Sequence, residues 1–460
     1  MRRRVFLLVC WILLLLLLVP LTAYTQKAPA GKLALVGGRL IDGNEGPPLE
    51  NSVIVVEGNR IVAVGQRGAV TVPPDARLIS TEGMTVLPGL IDMHVHLFIL
   101  GHGDYSQWDP TYKNRMPEVM KISARQLLLA GVTSARDLGG PLNDSIAIRD
   151  AINRGELVGP RMFVTGPFIT RELSGSTETY FQRLIHSPDE ARAAAREFLA
   201  AGVDGLKAWI GLTEEDIHAI VEEAHAQGKW VSSHARSDAK VRASIRAGVD
   251  TLEHFCGGRK PLCADDVIEA MAEGAVRLAP PGGPTEVWAE RNVWVVPTLI
   301  VSKIYDLTQA FPERRDHPRL KADLPADIYA DVRQSIAHPE RLGYFENAKA
   351  TNPYLPGKFR QLVDANLRLL IGSDSGTPMN FHYESTRYEM KFFVDYGVPP
   401  LQTISAATRL AAQALGVADR LGTVEPGKLA DIIVVDGNPL ETMEALRNVV
   451  HVIKDGVVYK

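Results

Sequence analysis

Two histidines one residue apart, His94 and His96, close the apolar run Gly89-Leu90-Ile91-Asp92-Met93-His94-Val95-His96. Side chains alternate along an extended strand, so both rings fall on one face and can chelate one ion. Alone the pair is weak evidence in a chain with 12 histidines. Four more residues repeat its placement. Lys207 sits in Gly205-Leu206-Lys207-Ala208-Trp209, an apolar strand where an unpaired ammonium would be costly to bury. His234 ends Trp230-Val231-Ser232-Ser233-His234, His254 ends Thr251-Leu252-Glu253-His254, and Asp374 ends Leu369-Leu370-Ile371-Gly372-Ser373-Asp374. Histidine nitrogens and carboxylate oxygens suit zinc and its neighbours.

This set implies hydrolysis assisted by two divalent metal ions, zinc being the expected one. A lysine that has reacted with carbon dioxide is an anionic carbamate with two oxygens, able to bridge ions about 3.5–4 Å apart. Water held between such ions loses a proton near neutral pH and becomes a nucleophile. Asp374 can orient it, take its proton and pass that proton to the leaving amine. The other reading of Lys207 is an ordinary lysine paired with Asp104, Asp137 or another acid, which leaves a one-metal site. A substrate carboxylate needs an arginine near the site. Arg136, Arg171, Arg236 and Arg259 lie at or just after strands, and Arg236, two residues past His234, is the first choice, with Arg171 and His382 as further substrate contacts. His218 and His225 lie beside the apolar stripe of one helix. His102, His186, His317 and His338 fall in loops, where solvation is the default.

The elements that must position these residues read as alternating strands and helices over 86–415. Eight strands are expected, near 89–97, 133–139, 161–168, 205–210, 230–235, 251–255, 294–300 and 369–375. Ala130-Gly131-Val132, Ala201-Gly202-Val203 and Ala247-Gly248-Val249 each close a helical run and open a strand. Glycine suits the left-handed C-cap such a turn needs. Ser187-Pro188-Asp189-Glu190 signs a helix start. The fold class is therefore α/β, a (β/α)₈ TIM barrel with its chemistry at the C-terminal strand ends. A doubly wound open sheet is the runner-up, without its usual G-x-G-x-x-G. Residues 31–85 and 416–460 are β-rich and punctuated by Gly, Asn and Pro, so both ends are expected to build one small β-sandwich. A long insertion near 305–360 should form helical loops over the barrel mouth.

The chain of 460 residues exceeds one ordinary core. Its net charge of -4 and the lack of a basic run after residue 30 argue against nucleic acid. Arg2, Arg3 and Arg4 precede an apolar run from Val5 to Leu21 and then Ala28-Pro29-Ala30. Residues 1–30 read as a secretory signal or, if uncleaved, an N-terminal anchor that is the sole membrane contact, giving an exported, periplasmic or extracellular protein. Cys256 and Cys263 remain beyond that segment, either as a disulfide or as two buried thiols. A homo-oligomer is compatible with all of this.

At these residues the chain resembles the amidohydrolase superfamily. The likeness runs from Leu87-Pro88-Gly89 through His96, includes Gly372-Ser373-Asp374-Ser375-Gly376 and Ala406-Ala407-Thr408, and continues through Gly422-Thr423-Val424-Glu425-Pro426-Gly427-Lys428-Leu429-Ala430-Asp431. Lys207 looks like the carboxylated lysine of the prolidase-like, imidazolonepropionase-related branch of metal-dependent dipeptidases and N-acyl amino-acid amidases. The resemblance implies that His94 and His96 bind one metal, His234 and His254 the other, that Lys207 bridges them, and that Asp374 binds the first metal and shuttles protons. Two loops depart from the dipeptidase pattern. Trp209-Ile210-Gly211 follows the lysine instead of a Ser-Gly-Gly-type turn, and Gly166-Pro167-Phe168-Ile169-Thr170-Arg171 lacks the histidine of a Gly-Gly-His segment. The expected reaction is hydrolysis of a peptide or N-acyl amide bond in a small substrate. Its rivals are a one-metal deaminase, a cyclic-amide hydrolase or lactonase, and a non-catalytic binding protein on the same scaffold.

Overall fold

The computed structural model describes residues 31–460 except 177, 274, 279–286 and 291–292, and leaves aside the side chains of 273–292. The expected signal or anchor at 1–30 lies outside the described residues. Among these, no helix is long and apolar enough to cross a membrane.

Parallel strands alternate with helices through the middle of the chain. They form a three-stranded sheet of Leu90–Val95, Val132–Asp137 and Arg161–Val164, and a six-stranded sheet ordered Gln182–Leu184, Phe168–Thr170, Gly205–Ala208, Trp230–His234, Thr251–Glu253 and Trp294–Val296. Backbone hydrogen bonds outside the ladders connect the two, in part through the segment 368–375. Asp204 N donates to Val164 O at 2.8 Å, Leu370 N to Val295 O at 2.9 Å, and Met93 N to Ile371 O at 2.9 Å. The expected set of eight strands is corrected in two places. The segment 161–168 is two strands, broken at Gly166 (φ +68°) and Pro167, and its second half pairs with the Lys207 strand in the register Ile169↔Ala208. The segment 369–375 makes only isolated bridges, Leu369 to Val295 and Ser375 to Val95. Gly372 explains its close approach, since a Cβ there would lie 2.3 Å from Val296 Cγ1 and 2.9 Å from His94 Cβ.

The helices behind the strands begin and end as their sequence requires. Ser187 caps Pro188–Ala201 by accepting from Glu190 N, and Gly202 ends it at φ +97°. Thr213 and Asp216 form a reciprocal capping box on Glu214–His225. In the insertion, Leu299–Ala310 packs against Gly343–Thr351, which delivers Tyr344 to the site.

Both chain ends meet in one sheet. Thr85–Pro88 runs antiparallel to Ile432–Val435, flanked by Arg39–Leu40 and Val449–Lys454. A second sheet of Arg60–Gln66, Ser52–Glu57, Lys32–Val36 and Arg77–Ser80 shares its apolar cluster, with Leu35, Ile54 and Ile61 against Val86, Ile432 and Val434.

Candidate active site

The strand ends converge. His94 and His96 rings lie 5.2 Å apart, His94 and His254 5.3 Å, and His234 and His254 4.5 Å. Asp374 Oδ1 is 3.2 Å from His96 Nε2 and 3.6 Å from His94 Nε2. The backbone fixes this approach, with Asp374 N donating to His94 O at 2.7 Å and His96 N to Ser375 O at 3.0 Å. Asp92 stitches the same two segments, accepting from His94 N and Ser373 N on one oxygen and from the Ser373 and Thr386 hydroxyls on the other. His254, Thr298 and Asp374 all have positive φ, +67°, +50° and +52°. Such backbone in non-glycine residues is held only where its surroundings over-determine it.

Protonation follows from burial and partners. Burial lowers His94 to about 4, so its ring is neutral. Burial would raise Glu253, but the Arg136 charge and the His94 hydrogen bond hold it well below the usual carboxylate range. An ionised Glu253 can only accept, so His94 Nδ1–H donates to Glu253 Oε2 at 2.8 Å and Nε2 keeps its lone pair toward Asp374. Burial also keeps His234 and His254 neutral, and His254 Nδ1 pairs with Thr298 Oγ1 at 2.6 Å. Burial acts against the Asp374 carboxylate as well, yet its histidine neighbours hold it ionised. One atom each from His94, His254 and Asp374 lie within 4.8 Å of one another, a donor set fit for a divalent cation.

Lys207 is 1% exposed, and among the described residues its Nζ has no hydrogen-bond partner. The ordinary pairing with Asp104 or Asp137 is absent; Asp104 instead caps the helix Tyr105–Tyr112. Burial lowers the lysine to about 8. The buried amine shares its cavity with His94, His96, His234, His254 and Asp374.

Sequence reasoning missed Glu253. It orients His94, accepts from Ser232 Oγ and Thr251 Oγ1, and pairs with buried Arg136 at 2.6 Å. The available signal was an acid on a short apolar strand, which must find a partner. Glu253→Gln should cut metal affinity about 10–100-fold by loosening the His94 ring, read by competition with a chelator. An unchanged affinity would reduce Glu253 to a packing role.

The site opens into a cavity of about 290 Å³. Phe168 stacks on Trp209 at 4.3 Å and 22°, Phe98 stacks on Phe181 at 4.8 Å, and Phe168 also meets the His96 ring edge-on at 5.6 Å. Arg236 lines the cavity, and no ion pair engages it among the described residues. Arg171 is committed elsewhere, its Nε and Nη2 donating to the two Asp216 oxygens at 2.6 and 2.8 Å. His382 sits behind His96, with Nε2 3.0 Å from the His96 carbonyl oxygen. His102, expected to be solvated, is fully buried against Trp108 because its loop folds under the insertion. Cys256 and Cys263 form a disulfide with Cα atoms 5.5 Å apart.

Residues 85–459 match the amidohydrolase family. The ochratoxinase of Aspergillus niger is 24% identical, the match covering 93% of this chain and 87% of that one. The imidazolonepropionase of Thermoplasma volcanium is 20% identical over 84% of each chain. Among solved structures, a Xaa-Pro dipeptidase with methionine bound in its active site is 26% identical, with a TM-score of 0.72, over 93% of this chain and 100% of that one. The neighbours are prolidase-like amidohydrolases and imply an α/β fold of TIM-barrel type.

Proposed function

The chain belongs to the amidohydrolase family, and from that premise we propose that it hydrolyses the amide bond of a small N-acyl amino acid or dipeptide at a site for two divalent metals. The observation that carries the reading is the partnerless, buried Lys207 amine set among His94, His96, His234, His254 and Asp374. His94, His96 and Asp374 would hold one ion, His234 and His254 the other, and a carboxylated Lys207 both. Bound there, the ions would supply a nucleophile at neutral pH and polarise the scissile carbonyl. The Asp374 carboxylate would hold the attacking water and carry its proton to the leaving nitrogen. Arg236 would bind the substrate carboxylate through two parallel hydrogen bonds.

The two parallel sheets are read as parts of one eight-stranded barrel. The two small sheets are read as a β-sandwich built from residues 31–85 and 416–460, with 86–415 as the barrel. The Cys256–Cys263 disulfide supports export to an oxidising compartment, as does the signal-like segment at 1–30.

The test is a screen of zinc-supplemented protein against dipeptides and N-acyl amino acids, reading free amine and ammonia separately. New amine without ammonia is the expected result. Ammonia alone, or turnover confined to cyclic amides and lactones, would overturn it. Against a substrate with a free carboxylate, Arg236→Met should raise KM about 10–100-fold, the worth of a charged hydrogen-bonded pair, with a smaller change in kcat. Against the carboxamide form of the same substrate the effect should shrink. Equal effects on both forms would remove the clamp.

A further inference from the structure

Two cavities adjoin the proposed metal ligands, and they share three lining residues. The first is the aromatic cavity already described. The second has a volume of about 270 Å³, and Arg236, His254 and Tyr344 line both. Its walls come from the disulfide-closed loop after His254, from the start of the helix Leu299–Ala310 and from the insertion.

The chambers differ in chemistry. Phe98, Tyr105, Phe168, Phe181 and Trp209 give the first a nearly continuous aromatic surface. Among the described residues, Arg236 and Lys207 are its only lysine or arginine side chains, and it contains Asp109. The second mixes Phe255, Val301 and Leu355 with Ser302 and Asn347, and it adds a second cation, Lys358. That lysine is buried at 4% exposure and donates to the Gly257 and Gly258 carbonyls at 3.2 and 2.9 Å. A carboxylate is therefore accommodated at Arg236 on the second side, and a flat apolar group on the first.

The parallel stack of Phe168 on Trp209 presents a flat surface beside His96. Flat groups gain most from such a surface, by offset stacking in addition to area burial. A short linear acyl group would leave much of it bare.

We propose that the site is bipartite and selects N-aroyl amino acids: the aromatic acyl group lies against Phe168 and Trp209, and the amino-acid half, with its side chain and carboxylate, occupies the second chamber. This rests on the amide-hydrolase reading for the bond that is cut, but not for how the two halves bind.

The experiment separates these. N-(2-naphthoyl)-L-leucine, N-acetyl-L-leucine and N-(2-naphthoyl)glycine are titrated calorimetrically into the zinc-loaded Asp374→Asn protein, and their turnover is followed with the unsubstituted protein. The naphthoyl-leucine conjugate should bind at least about tenfold more tightly than the acetyl conjugate, the scale on which apolar pockets discriminate. Trp209→Ala and, independently, Phe168→Leu should reduce that ratio severalfold. Ser302→Trp should instead reduce the ratio of leucine to glycine conjugate, because it narrows the second chamber. Equal binding of naphthoyl and acetyl conjugates would overturn the proposal, as would a ratio unmoved by either aromatic substitution. Turnover without acyl preference would leave amide hydrolysis standing and remove the bipartite site. Trp209-dependent binding without any turnover would do the reverse.

Discussion

Lys207→Ala should lower bound metal from about two ions per chain to one or fewer and reduce kcat/KM by at least about a thousandfold, roughly 4 kcal/mol of transition-state stabilisation. Short carboxylic acids added to Lys207→Ala should restore part of the activity by filling the gap with two anionic oxygens. Lys207→Met separates chemistry from folding. It removes a buried amine without a partner and replaces it with an apolar chain of similar length, so the metal-free protein should unfold at no lower temperature than its parent. The amine must be neutral to add carbon dioxide. Burial lowers it to about 8, and the neutral fraction falls about tenfold for each pH unit below that value. Reconstitution of metal-free protein with zinc and bicarbonate should therefore be much slower at pH 6 than at pH 8.5. A Lys207→Ala variant with two ions and full activity would sink the bridging role.

Asp374→Asn should lower kcat by about 10²–10⁴-fold, the range for losing a positioned acid–base group, with a much smaller change in KM. Asparagine is the right substitution because the backbone here has φ +52°, a conformation Asn adopts more readily than most residues. The amide also keeps the shape of the side chain, whose neighbours His94 and His96 stay in place through their own backbone bonds to 374 and 375. Metal content, measured by atomic emission, tests whether one ion is lost along with the proton carrier. A kcat near that of the parent would remove Asp374 from the proton path.

Much of this site was legible because strand geometry is periodic. The alternation that puts His94 and His96 on one face survives a register shift between Asp92 and Val95. Strand-end placement also pointed to Lys207, His234, His254 and Asp374 before any contact was known. The limits were physical. Glu253 precedes a ligand and reads like any strand acid, while its role depends on Arg136, 117 residues away in sequence. Arg171 and Arg236 follow strands in the same way, and only the tertiary position of Asp216 shows which is occupied. The break at Gly166-Pro167 and the left-handed turns at His254 and Asp374 shorten strands that hydrophobicity alone extends. His102 was unreadable because its burial comes from the insertion, whose path periodicity does not specify.

The sheet that joins the two chain ends also constrains the order of synthesis. Thr85–Pro88 emerges early, yet its partner Ile432–Val435 is almost the last strand made. Translation of the intervening stretch, roughly 350 residues at about 5–20 residues per second, takes on the order of 20–70 s. Throughout that interval the strand has one edge unpaired while the metal-binding half is completed. Emergence of Ile432–Val435, rather than formation of the strands around His94, is therefore the event that lets this sheet close.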